Sequence, residues 1–210
     1  LENKGLLENS LLVFCSDHGE MLGDHRMAYK WLMYDSITRI PLVVCDFRAG
    51  GEKKVATVDD LVSLMDLGPT FLQAAGVEVP TYLEGRSLAP YLSAEQVVDK
   101  PREWVFCEDN YQIMMRGKEH KLVYYIGQDE GELYDLKADP HELDNLWESP
   151  AQQELKTQMR LILLEWLAAS TYWNAGYRQT RSRRYSMRWP SEDNRALHGP
   201  LSGGGRTVDL

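Results

Sequence analysis

Five apolar residues in a row, Leu11 to Cys15, stop at Ser16-Asp17-His18-Gly19. A run this short, closed by polar residues and glycine, predicts a buried strand, parallel to its neighbours. Pro41 to Val44 predicts a second strand, with the proline at its start, where no ladder bond is lost. Val62 to Met65 reads as a short third strand. Asp66 then precedes Pro69 to Gly76: a carboxylate cap, a proline in the first turn and a closing glycine predict a helix that buries Phe71, Leu72 and Ala75. The pattern changes at Ser93 to Arg102, and the domain boundary is expected there. Beyond it, Trp104–Cys107, Ile113–Arg116 and Lys121–Ile126 are β-rich and split by Asp109-Asn110 and Gly117-Lys118, which predicts an antiparallel meander. Glu132–Leu136 adds a strand, and Asp139-Pro140 is a turn. From Gln153 to Ala168, Leu155, Met159, Ile162, Leu163 and Trp166 recur at helical spacing; this helix should lie across the small sheet.

Both ends have their own character. Leu1 to Gly5 reads as the last turn of a helix ended by Gly5, so the chain is expected to be a fragment. From Thr171, arginines (Arg178, Arg181, Arg183, Arg184, Arg188) interleave with Tyr172, Trp173, Tyr177, Tyr185 and Trp189. A basic, aromatic segment can bind single strands of nucleic acid. The net charge of -9 argues against that and favours an arm lying on an acidic surface, its own or that of a second copy in a homo-oligomer. The expected division is thus 1–97, 98–170 and an arm at 171–210.

The 210 residues suffice for one ordinary domain and a smaller partner. No apolar run approaches the ~20 residues of a membrane-crossing helix, so no membrane partner is expected. Cys15, Cys45 and Cys107 are far apart and odd in number. They make neither a disulfide framework nor a zinc site, read as buried thiols, and lean towards a cytoplasmic setting.

Asp17 and His18 stand where the first strand ends, the usual place for functional groups in an open α/β sheet. A carboxylate beside an imidazole suits a metal ion, or an anion held by one, and Gly19 lets the backbone turn. His25, in Gly23-Asp24-His25, reads as a structural histidine held by Asp24 or a carbonyl. Tyr29, Trp31, Met33 and Tyr34 surround Lys30, either as pocket wall or as ordinary packing. Arg39 reads as one half of a structural ion pair.

Ser16-Asp17-His18-Gly19-Glu20 followed by Leu22-Gly23-Asp24-His25 and Lys30 resembles the C-terminal half of a sulfatase of the alkaline phosphatase superfamily. Thr38 to Val44, Leu64 to Thr70 with Gly85 to Leu88, and Glu132 to Leu136 with Asp139-Pro140, Glu142 and Asn145-Leu146 resemble that family in the same order. The resemblance implies an α/β fold: the C-terminal edge of a large mixed sheet, then a small antiparallel sheet packed by one long helix. It implies metal ligation by Asp17 and His18, catalytic roles for Lys30 and His18, and contact between Lys30 and the sulfate. The cation is Ca²⁺ or Mn²⁺; a histidine at position 18 departs from the all-oxygen preference of Ca²⁺. The family's nucleophile is a hydrated formylglycine made in a Cys/Ser-x-Pro-x-Arg motif. No cysteine here stands in that motif, so the nucleophile is expected upstream of Leu1 and the chain alone is expected to be inactive. The implied partner is a sulfated small molecule or glycan. A phosphonate monoester or phosphodiester hydrolase on the same scaffold, or a non-catalytic sulfatase-like assembly protein, are the alternatives.

Overall fold

The computed structural model describes residues 1–48, 57–92, 98 and 100–174. The basic, aromatic arm beyond Asn174 and most of the glycine- and charge-rich loop after Arg48 lie outside the described residues. The fold is mixed α/β with antiparallel sheets and a long C-terminal helix. Its two compact units are residues 1–79 with 85–101, and residues 80–84 with those from Arg102 onward. Among the described residues, no helix is long and apolar enough to cross a membrane.

The first unit opens with a short 3-10 turn, Glu2–Lys4, closed by Gly5 in the left-handed region (φ 64°), the conformation that favours glycine there. Strand β1 (Leu11–Cys15) pairs with β2 (Leu42–Asp46) through Val13↔Val44 and Phe14↔Val43. The pairing is antiparallel, not parallel as expected. An apolar run records burial, not direction. Nor is β1 buried on both faces: Leu12, Phe14 and Val43 line one exposed face. Helix α1 (Asp35–Thr38) lies in the connection between the strands. Arg39, just after it, is exposed, and no ion pair holds it among the described residues.

Helix α2 (Leu67–Ala74) ends as predicted, with Gly76 at φ 71°. Its start differs. Leu64–Asp66 is a 3-10 turn rather than a strand, because Ser63 and Asp66 form a capping box over it. The Asp66 carboxylate accepts the Ser63 N–H at 2.7 Å and the Arg86 N–H at 2.7 Å, and is 1% exposed. The face of α2 that is buried runs through Pro69 and Thr70, whereas Phe71 and Ala75 are exposed. The Thr70 hydroxyl fixes that orientation: it donates to the Asp66 carbonyl and accepts the Leu88 N–H at 2.8 Å. Gly85 completes the join, since a Cβ there would stand 2.0 Å from the Met65 carbonyl oxygen. Helix α3 (Ala89–Leu92) follows.

The second unit is a four-stranded antiparallel meander in the order β3 (Val105–Asp109), β4 (Gln112–Arg116), β5 (His120–Tyr125), β6 (Gly131–Asp135). Helix α4 (Gln153–Asn174) packs on the sheet face that carries Ile113, Met115, Leu122 and Leu133. It contributes Met159, Leu163 and Trp166, as its spacing predicts, and Trp166 stacks on Phe106 with centroids 4.2 Å apart. The turn motif is explained by its bonds. The Asn145 amide donates to the Gly131 carbonyl, and its oxygen accepts the N–H groups of Leu133 and Trp147. Gly131 is required because a Cβ would meet the Trp147 ring at 2.6 Å. The three thiols differ from expectation: Cys15 is exposed, and Cys45 and Cys107 are half-buried. Alternate positions on thinly covered strands face outward, so an apolar run does not bury every member.

Candidate metal and anion site at the end of β1

At the end of β1 the backbone is stitched to α1. The Gly19 N–H donates to the Ile37 carbonyl at 2.7 Å, and a Cβ at position 19 would lie 1.9 Å from the Ser36 carbonyl oxygen. Gly19 is therefore needed for close backbone approach, not for the sharp turn the sequence suggested; its φ is not positive. Replacing Gly19 by alanine should cost about 1–3 kcal/mol and displace His18. Gly68→Ala, in α2 with nothing within 4 Å of the added Cβ, is the control and should be neutral or slightly stabilising. Thermal unfolding of the two variants side by side tests this, and equal midpoints would refute the close-approach argument.

This stitching leaves His18 held by its neighbours. The Gly19 carbonyl lies 2.7 Å from His18 Nδ1. A carbonyl only accepts, so Nδ1 carries the proton and Nε2 presents its lone pair. Lys30 Nζ donates to that lone pair at 2.5 Å. Asp17 Oδ2 lies 3.5 Å from the same Nε2. The His18 N–H donates to Asp17 Oδ1 at 3.0 Å. That bond first, then the backbone of Asp17 itself, hold the Asp17 carboxyl below the usual aspartate range. The Asp17 side chain is 84% exposed, so the carboxylate is open to a ligand. Sequence reasoning passed over Ser16, whose hydroxyl donates to the His18 carbonyl at 2.6 Å; its only signal was its place in the Ser-Asp-His-Gly run.

The loop that returns the chain to Lys30 is strained and firmly anchored. Leu22, His25, Arg26 and Tyr29 all have positive φ, and among the described residues only Glu142 is another non-glycine of this kind. Met21, 0% exposed, is the anchor: its N–H donates to the Tyr29 carbonyl, and the Ser36 hydroxyl lies 3.2 Å from its sulfur. The His25 ring stacks on Tyr34 with centroids 3.9 Å apart, where Asp24 or a carbonyl was expected to hold it. The residues around Lys30 divide. Met33 is buried and Tyr34 packs on His25, whereas Tyr29 and Trp31 are exposed.

The donor set fits part of a divalent-cation site. One carboxylate oxygen and one imidazole lone pair converge within 3.5 Å, and the tautomer is fixed by a backbone carbonyl, the usual support of a metal-binding histidine. Among the described residues, no group of three or more His, Cys, Asp or Glu side chains could hold a metal ion.

The family described as N-sulphoglucosamine sulphohydrolase, C-terminal, matches residues 23–168. Arylsulfatase K of Xenopus laevis is 35% identical over 179 residues, covering 78% of this chain and 33% of that protein. N-acetylglucosamine-6-O-sulfatase of Bacteroides thetaiotaomicron is 34% identical, covering 79% of this chain and 31% of that protein. The crystal structure of a phosphonate monoester hydrolase of Agrobacterium radiobacter superposes with a TM-score of 0.70 at 27% identity, covering 81% of this chain and 37% of that one. The chain thus spans about a third of the length of the curated relatives it matches. By the family model over residues 23–168 and these sulfatase relatives, the chain belongs to the sulfatase family of the alkaline phosphatase superfamily and carries its C-terminal region.

Proposed function

We propose that the protein containing this chain hydrolyses a sulfate ester, most simply one on a sugar, and that Asp17, His18 and Lys30 are this chain's contribution to the site. The observation that carries the reading is the convergence of Asp17 and Lys30 on His18 Nε2. Asp17 and His18 would hold one divalent cation, Ca²⁺ or Mn²⁺, with the remaining ligands supplied from outside this chain. A bound cation supplies Lewis-acid polarisation of the sulfate oxygens. Lys30 carries a fixed positive charge to the same spot. Aimed at the nonbridging oxygens, it stabilises the charge that builds during attack on sulfur. His18 works through Nε2, the ring nitrogen left as acceptor while Nδ1 donates to the Gly19 carbonyl. A cation on that lone pair would leave the Lys30 ammonium to face the anion.

The formylglycine nucleophile lies outside the 210 residues, since no cysteine or serine among them is followed by the required x-Pro-x-Arg. The uncovered face of Leu12, Phe14 and Val43 supports this reading, because an apolar sheet face of that kind is where further strands and helices of a larger α/β sheet pack. The expected result is that the purified chain releases no sulfate from an aryl sulfate, while the protein that includes a formylglycine segment does. Sulfate release by the chain alone would overturn the assignment. The likeness to the Agrobacterium hydrolase favours one second reading, hydrolysis of a phosphonate monoester. Turnover of matched aryl sulfate and aryl phosphonate by the intact enzyme separates the two.

A further inference from the structure

We infer that His25 is a positioning residue for Lys30: its ring, stacked on Tyr34, clasps the loop that carries Lys30 to the start of α1 and so aims the ammonium. The inference rests on the sulfate-ester reading, in which Lys30 meets the anion, and deepens it. Lys30 stands between the two rings in sequence, five residues after His25 and four before Tyr34. The rings are nearly parallel, 16° apart, with centroids separated by 3.9 Å. Tyr34 is a fixed point, because its carbonyl accepts the N–H groups of Ile37 and Thr38 at 2.9 Å as α1 begins. His25 is fixed as well. It sits in a tight knot in which the Asp24 N–H donates to the Met21 carbonyl at 2.8 Å, the Arg26 N–H to the Gly23 carbonyl at 3.0 Å and the Gly23 N–H to the Met27 carbonyl at 3.0 Å. The stack joins these two fixed points and closes the chain between them into a loop with Lys30 on it.

The backbone of His25 is a second sign. It is left-handed (φ 51°, ψ 20°), where glycine is the unstrained choice. Glycine would serve a bare turn better, so the imidazole has to be accounted for by what its ring does, and its ring meets Tyr34. Two further ties join the root of the loop to the same helix. The Gly19 N–H donates to the Ile37 carbonyl at 2.7 Å, and the Ser36 hydroxyl lies 3.2 Å from the Met21 sulfur. These hold the root with or without the stack, so losing the stack loosens the far end of the loop rather than unfolding it. That far end carries Lys30, a long flexible side chain whose ammonium has to reach the neighbourhood of His18 Nε2. Such a group stabilises a transition state only where its backbone is held, since a misplacement of about 1 Å can cost about 10²-fold in rate.

The test is the intact enzyme carrying His25→Asn, which tolerates the left-handed backbone but has no ring to stack, assayed on an aryl sulfate. Its kcat should fall roughly tenfold, while KM and the affinity for Ca²⁺ or Mn²⁺ by calorimetry stay within about twofold of the wild type. Tyr34→Leu should show the same loss, and Tyr34→Phe, which keeps the stack, should restore most of the rate. In a Lys30→Ala background, His25→Asn should cost nothing further, because it acts through Lys30. A full further loss in that background, or a Tyr34→Phe variant as slow as Tyr34→Leu, overturns the clasp. Crystal structures of the intact protein and its His25→Asn variant decide the same point without turnover. Lys30 Nζ should lie beside His18 Nε2 in the wild type and be displaced in the variant, and an unmoved Lys30 overturns the clasp. A displaced Lys30 in an enzyme whose Lys30→Ala variant is fully active upholds the clasp and sinks the sulfate-ester reading of Lys30 instead.

Discussion

Replacing Lys121 by methionine is expected to destabilise the second unit by about 3–5 kcal/mol. Lys121 in β5 is 0% exposed, and its Nζ lies 2.5 Å from Glu142 Oε1, on a residue 3% exposed. Methionine keeps the unbranched stem and removes only the charge, so the loss reports the missing ammonium beside the buried Glu142 carboxylate rather than a cavity. That carboxylate cannot move to water without undoing the turn after Asp139-Pro140, where Glu142 itself sits at φ 57°. The pair as a whole need not be favourable, since the desolvation of two charges offsets most of their attraction. Lys121→Met with Glu142→Leu should therefore recover much of what Lys121→Met loses. Urea unfolding of the two single variants, the double and the wild type closes the cycle. A single variant as stable as the wild type would show that the pair contributes nothing, and a double variant as weak as the singles would place the cost in packing.

Lys121 also marks where sequence reasoning stopped. A lysine in a strand is ordinarily solvated, and nothing in His120-Lys121-Leu122 distinguishes one that is buried. Its partner Glu142 stood in a motif, but a motif names residues without naming whom they touch. The meander and α4 were legible for the opposite reason: their turn residues and their helical stripe are local signals, and β3 to β6 and Met159, Leu163 and Trp166 lie where those signals put them. Strand direction is not local, and β1 turned out antiparallel to β2. Asp66 was legible as a helix-start residue but not as the acceptor for both Ser63 and Arg86, because Arg86 arrives from a distant loop. At the candidate site, Asp17 and His18 could be named in advance from their place at the end of the first strand, and Lys30 only through the resemblance. The contact of Lys30 with Nε2 comes from the fold of the strained loop, and the role of Gly19 from the carbonyl of Ser36.

Lys30→Ala and Asp17→Ala should both cripple the intact enzyme, but in different currencies. Lys30 offers charge to the transition state, so its removal should lower kcat by about 10²–10³ at every cation concentration. It should leave cation affinity unchanged or tighter, since Nε2 of His18 then loses the ammonium that lies 2.5 Å away and competes for its lone pair. Asp17 offers an oxygen to the cation from an exposed carboxylate already held ionised by the backbone N–H of His18. Its removal should weaken cation binding by at least about tenfold, and excess Ca²⁺ or Mn²⁺ should return part of the lost rate. Cation titrations of kcat, with direct binding measured by calorimetry on each variant, distinguish the two. If excess cation rescues Lys30→Ala, then Lys30 acts by holding His18 for the metal and not by meeting the sulfate. If Asp17→Ala binds the cation as the wild type does, the carboxylate is not a ligand, and the 3.5 Å approach of Asp17 to His18 serves only to orient the imidazole.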